Sequence, residues 1–255
     1  MSYYNYQSKN IFYKEIGTGK PLILLHGNTA SSKMFLNITN QYAEKYKVIL
    51  IDFLGHGKSD RLDKFPVDLW YEEAQQVIEF ISQKKYDDVF LLGSSGGALV
   101  AINIALERPE LVSKVIADSF EGTNAITAFT ANIFNDRDFS KQNEGARMFY
   151  QAMHGDDWES VVDNDTNAIL EHSKWIGKFF HKPLSTLQAD ILMTGSNEDE
   201  FITSVDSEFY KKIYSKMIKE IGHGDFYLFE HGGHPAMLSN QTQFVKETLS
   251  FLERD

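Results

Sequence analysis

The sequence predicts an α/β fold: a doubly wound, mostly parallel β-sheet with an antiparallel first hairpin and an inserted helical cap. Short apolar runs alternate with helix-forming stretches, the first two runs are joined by only Gly17, Thr18, Gly19 and Lys20, and the rhythm stops between about 120 and 187. Alternation of strand and helix implies right-handed crossovers and a parallel sheet. The link at Gly17 is too short for a crossover and so implies a turn between antiparallel neighbours.

The expected strands cover 10–16, 21–25, 47–52, 88–92, 114–117, 190–194 and 225–229. Several are nearly continuous apolar runs, such as LILL and VILI, which is how a strand buried on both faces reads. Helices are expected over 69–84, where Val77, Ile78 and Ile81 share a stripe, over 97–107 before Pro109, and over 243–252. The stretch from 120 to 187 carries Phe129, Phe134, Phe139, Phe149, Trp158, Trp175, Phe179 and Phe180 among polar residues. It reads as a helical insertion whose rings pack a core or, as a group, line a pocket. With no repeat or linker, the chain is expected to be one domain over 1–255, with the cap as an excursion from it.

Composition removes whole classes of function. With 42% hydrophobic and 24% charged residues the chain buries a core and folds by itself. Its 36 acidic against 25 basic residues give a net charge of -11, which repels nucleic acid and anionic membrane surfaces. The absence of cysteine excludes disulfides, thiolate catalysis and cysteine-bound metals, and agrees with a reducing, cytoplasmic setting. The polar start MSYYNYQSKN and the lack of a long apolar run predict neither secretion nor a membrane span.

Residues Gly93, Ser94, Ser95, Gly96 and Gly97 spell G-x-S-x-G directly after an apolar run and before a helix-forming stretch. A strand that turns sharply into a helix presents its corner side chain, here Ser95, and needs small neighbours to avoid clashes across the turn. The helix N-terminus aims its dipole and free N–H groups at the same point, so the Gly96 amide is the natural donor to an oxyanion.

From these residues the sequence resembles the α/β-hydrolase superfamily, in its serine-nucleophile branch. His26-Gly27-Asn28 is similar to that family's oxyanion loop, which implies the Asn28 amide as a second donor. Residues 52–59, DFLGHGKS, are similar to its D-x-x-G-x-G-x-S loop, and Gly232-Gly233-His234-Pro235 follows the last strand as the family's catalytic histidine does. The order of nucleophile, acid and histidine along the chain is also the expected one. The acid is expected in the turn 195–202, where counting from Gly195 selects Glu198 and aligning Phe201-Ile202 selects Asp199. Asp199 is preferred because the shorter side chain is the more frequent orienter, and Asp118 is a third option better read as capping a loop.

His231 and His223 are expected to be structural or surface residues, and His26 and His56 to hold loops. The resemblance implies a serine hydrolase that cleaves an ester-type bond of a small, partly apolar acyl substrate through an acyl-enzyme, with Ser95, His234 and Asp199 catalytic and with neither cofactor nor metal. A receptor-like binder of small molecules, or a lyase or peroxidase on the same fold, is the alternative. Serine at the corner separates the chain from dehalogenase and epoxide hydrolase branches, which need aspartate there.

Overall fold

The computed structural model describes residues 2–131, 133–203 and 205–254. Eight strands form the sheet: β1 (Ser2–Tyr6), β2 (Lys9–Ile16), β3 (Pro21–Leu25), β4 (Lys47–Ile51), β5 (Val89–Ser94), β6 (Val112–Asp118), β7 (Asp190–Ser196) and β8 (Asp225–Phe229), in the order β1-β2-β4-β3-β5-β6-β7-β8. From β4 to β8 all neighbours are parallel, and β1 and β2 are antiparallel additions at one edge. The helices in chain order are α1 (Leu36–Ala43), α2 (Leu69–Lys84), α3 (Gly96–Glu107), α4 (Thr127–Thr130), α5 (Ile133–Gln142), α6 (Glu144–His154), α7 (Trp158–Trp175), α8 (Glu200–Thr203), α9 (Phe209–Ile221), α10 (Ala236–Ser239) and α11 (Gln241–Leu252).

The period-two geometry of a strand divides each apolar run between two cores. Ile23 and Leu25 of β3, with Ile49 and Ile51 of β4, face the side covered by α2, α3 and α9. Leu22, Leu24, Val48 and Leu50 face the side covered by α1 and α11. All eight side chains are buried, and each contributes about 1.5–3 kcal/mol of transfer free energy. Helix α3 is buried along nearly its whole length, which is why its sequence GGALVAINIALE is apolar all round instead of striped.

The antiparallel start is present, but its pairing differs from expectation. β2 does not pair with β3; it pairs with β4, which lies between them, and its hairpin partner is β1 through a turn at Gln7 and Ser8, both at positive φ. Strand order is decided by which edges bury apolar faces together, and a short link can step the chain across one neighbour. β1 was hidden by its polar residues, since only Tyr4 of SYYNY is buried. Helices α1 and α9 also lie outside the expected set, although Tyr210, Tyr214, Met217 and Ile221 of α9 are buried at helical spacing.

Between β6 and β7 the chain makes helices α4 to α7, in the region expected to be helical. A bridge between Asn124 and Lys178, with Ala125 N–H to Gly177 O at 2.9 Å, closes the neck of this excursion. Its aromatic residues divide by role: Trp158 and Phe179 are buried, Phe129 and Phe149 face a cavity, and Phe134, Phe139 and Trp175 are exposed.

Candidate active site

Ser95 stands between β5 and α3 with φ 56° and ψ −125°, a left-handed conformation that costs a non-glycine residue strain. The neighbouring chains explain how the turn is enforced. A Cβ on Gly93 would lie 2.0 Å from the Gly97 carbonyl oxygen, and one on Gly97 would lie 2.0 Å from that of Leu25. The strand, the turn and β3 are thus in backbone contact, and both flanking glycines of G-x-S-x-G are sterically required.

His234 comes from the loop after β8 and meets Ser95 across 139 residues of chain, with Nε2 to Oγ at 3.0 Å. On the far side of the ring, Nδ1 lies 2.8 Å from Asp199 Oδ2. Asp199 is fully buried in the turn after β7, and the same oxygen accepts a hydrogen bond from the Tyr210 hydroxyl at 2.7 Å. Burial opposes charge on both partners but is outweighed by their pairing. The imidazole pKa therefore lies above its ordinary value, with Asp118 and Glu200 adding to the effect of Asp199, and the Asp199 carboxyl lies below its own.

The other carboxylates near position 199 have different work. Glu198 is exposed, accepts from the Gly232 amide at 3.1 Å and pairs with His231 at 3.0 Å. Glu200 accepts from the His234 amide at 3.0 Å and so fixes the backbone that carries the ring. Asp118 accepts from Ser94, Ser119, Thr194 and the Met237 amide, tying the ends of β5, β6 and β7 to the segment after His234. Burial pushes its pKa up to about 6 despite those bonds.

Asn28 and Gly96 border the same cavity as Ser95 and His234. Among the described residues, neither of their backbone amides donates a hydrogen bond within the protein. The Asn28 side chain is locked: its Oδ1 accepts from Trp70 Nε1 at 3.2 Å, and its Nδ2 donates to Asp165 Oδ1 at 3.1 Å. Asp165, fully buried on α7, also accepts from the Thr29 amide at 2.8 Å and lies 3.0 Å from His56 Nε2. Burial alone would raise its carboxyl, but the hydrogen bond from His56, with that from the Thr29 amide, holds it below the usual range.

Two further histidines brace the loops. His26 accepts from the Phe53 amide on Nε2, which leaves its Nδ1 proton for the Gly27 carbonyl. His154 of α6 accepts from the Gly57 amide on Nδ1 and donates from Nε2 to the Thr29 carbonyl. Burial lowers the His154 pKa to about 4, so it is a neutral strut. His26 and His56 thus hold loops as expected, and His223 bonds the Ala189 carbonyl.

The residues expected at the site, Ser95, His234, Asp199, Asn28 and Gly96, are brought together, while Glu198 points away toward His231. Sequence reading missed Trp70, Thr29, Asp165, Glu121 and Arg137. All except Asp165 belong to the wall of a cavity of about 340 Å³ bounded by the strand ends and the inserted helices.

The chain matches the description "Alpha/beta hydrolase family" over residues 22–247. It is 24% identical over 262 residues to a 2-hydroxy-6-oxo-6-(2'-aminophenyl)hexa-2,4-dienoic acid hydrolase of Metapseudomonas resinovorans, covering 95% of this chain and 87% of that one. Among solved structures it is similar to a serine hydrolase of Cycloclasticus zankles, with TM-score 0.78, 20% identity and coverage of 99% and 97%. It is also similar to an esterase of Exiguobacterium antarcticum, with TM-score 0.73, 22% identity and coverage of 96% for both chains. Family match, sheet order and the strained serine turn agree: this chain belongs to the alpha/beta hydrolase family.

Proposed function

We propose that the protein is a serine hydrolase that cleaves an ester-type bond of a small, partly apolar acyl compound. The observation that carries this reading is the continuous path from Ser95 Oγ to His234 Nε2 at 3.0 Å and from His234 Nδ1 to Asp199 Oδ2 at 2.8 Å, beside a partly open, mainly apolar cavity. A serine hydroxyl is a weak nucleophile, and an adjacent base removes its proton as it attacks. Asp199 accepts the Nδ1 proton, so Nε2 is the basic nitrogen facing Ser95.

In the first half-reaction Ser95 Oγ bonds to the substrate carbonyl carbon and its proton passes to His234. The carbonyl oxygen gains negative charge opposite the Asn28 and Gly96 amides, with the α3 dipole behind it. The tetrahedral adduct collapses, His234 gives its proton to the departing alkoxide, and an acyl-Ser95 ester remains. A water deprotonated by His234 then attacks that ester, and the acid product leaves as the proton returns to Ser95. Asp199 stays ionised throughout and stabilises the imidazolium. The residues require no metal or cofactor for these steps, and the cysteine-free, acidic composition agrees with a cytoplasmic setting. The inserted helices act in this reading as a cap over the acyl chain.

The test is Ser95→Ala assayed on p-nitrophenyl butyrate. Turnover should fall by a factor on the order of 10⁴–10⁶ while the thermal midpoint is preserved. Unchanged turnover in a folded variant would contradict the proposal.

A further inference from the structure

The cavity wall is mostly apolar, with Leu99, Phe129, Phe149 and Ile169 facing it, and among the described residues Arg137 is its one lysine or arginine. A guanidinium carries five donors in a fixed fork and is costly to bury unless they find acceptors. Here Nη1 reaches the Tyr150 hydroxyl at 3.3 Å, a long contact, and the buried Nε has no acceptor among the described residues. Among the described residues no carboxylate forms a hydrogen bond or ion pair with it. Asp165 is close enough for the Arg137 charge to stabilise it, but its Oδ1 holds Asn28 and its Oδ2 holds the Thr29 amide and His56. Asp138 and Asp163 are paired with Lys141. In a chain of net charge -11, an uncommitted cation facing an apolar pocket is most simply a binding group.

We propose that Arg137 receives a substrate carboxylate, so that the cavity takes compounds with an apolar body, a scissile carbonyl beside Ser95 and a carboxylate remote from it. The inference rests on the hydrolase reading of the site and narrows its substrate class. The fork of Nε and one Nη matches the two oxygens of a carboxylate, and the Tyr150 hydroxyl, accepting from Arg137, has its own proton to donate to the same anion. Glu121, the other carboxyl on the wall, has its pKa pushed up to about 7 by burial, which weakens its repulsion of an anion below neutrality.

Matched pairs of esters test this: mono-(1-naphthyl) adipate against its methyl ester, with the anion on the acyl side, and 4-acetoxyphenylacetate against its methyl ester, with the anion on the leaving-group side. The readout is the ratio of kcat/KM within a pair, since a general loss of packing lowers both members alike. The natural protein should favour the free carboxylate in at least one pair by roughly 10- to 100-fold at pH 6.5, as expected for a charge-assisted contact. Arg137→Met should abolish that ratio and Arg137→Lys should restore part of it. Absence of a preference in both pairs, or its survival in Arg137→Met, overturns the inference while Ser95-dependent turnover of the neutral esters leaves the hydrolase reading intact. If none of the four esters turns over, the hydrolase reading falls. Calorimetric binding of the naphthyl half-ester to Ser95→Ala, with and without Arg137→Met, then decides the carboxylate site: Arg137-dependent binding supports it and Arg137-independent or absent binding overturns it.

Discussion

At the scale of single residues, the account turns on a buried acid and a raised base. In the proposed reaction His234 must be neutral to accept the Ser95 proton, and its pKa lies above the ordinary 6.5 because Asp199 stabilises the imidazolium more than burial destabilises it. Activity is therefore lost as pH falls through that raised value, and the acidic limb of kcat/KM should lie above pH 6.5. Asp199→Asn should lower kcat by about 10³–10⁴ and move the limb down, because the amide neither fixes the productive tautomer nor supports the cation. Glu198→Gln should leave both unchanged, since Glu198 bonds His231 and Gly232 instead. Interchanged outcomes would make Glu198 the orienting acid.

A second residue-scale consequence concerns stability. The Glu121 carboxyl has its pKa raised from 4.5 to about 7, chiefly by burial. The folded protein then binds the proton more tightly than the unfolded chain, so this group's contribution is present below pH 4.5 and is lost as pH rises toward 7. Glu121→Gln should accordingly gain about 1–3 kcal/mol relative to the natural protein between those limits, with no further gain above them. Urea titrations at pH 4.5 and 7.5 check this; an equal difference at both would show that the carboxyl titrates normally.

At the scale of elements, the inserted helices brace the loops beside Ser95 as well as bordering the cavity. Asp165 of α7 and His154 of α6 reach down to Asn28, Thr29, His56 and Gly57, so the two loops beside Ser95 are tied to the insertion by buried hydrogen bonds. Asp165→Ala would leave the Thr29 amide, the Asn28 amide group and His56 without their acceptor, at a cost of about 3 kcal/mol or more. Release of Asn28 should lower kcat more than it raises KM, since the contact to the oxygen strengthens in the transition state. A variant with altered KM and natural kcat would disconnect the insertion from the oxyanion loop. None of this was legible in the sequence, because a residue 137 positions away from Asn28 has no local pattern to mark it. The turn at Ser95 was legible: its steric demand for Gly93 and Gly97 is written in five consecutive residues. Arg137 and Glu121 look like ordinary surface charges in the chain, and only the closing of α5 over the strand ends makes them part of a pocket.

At the scale of the whole molecule, the parallel core of the sheet could be read because LILL and VILI need burial on both faces, and that requirement is local to each strand. Strand order could not be read in the same way. The step of β2 past β3 onto β4 is a choice between two apolar edges, and the Gly17 link permits either. That edge lies away from the end of the sheet where Ser95, Asp199 and His234 converge, so misplacing it did not disturb the expected site. Those side chains follow the ends of β5, β7 and β8, and the shared parallel direction of the strands brings them to one end of the sheet, where Ser95 and His234 face the cavity and Asp199 lies buried behind the imidazole.

The most direct measurement of the central claim is exposure to a fluorophosphonate followed by mass mapping of the modified peptide, repeated with Ser95→Ala and His234→Ala. The account predicts a single phosphonyl adduct on Ser95, abolished in the first variant and greatly slowed in the second. An adduct on another serine, or labelling of Ser95 that proceeds as fast without His234, would contradict it.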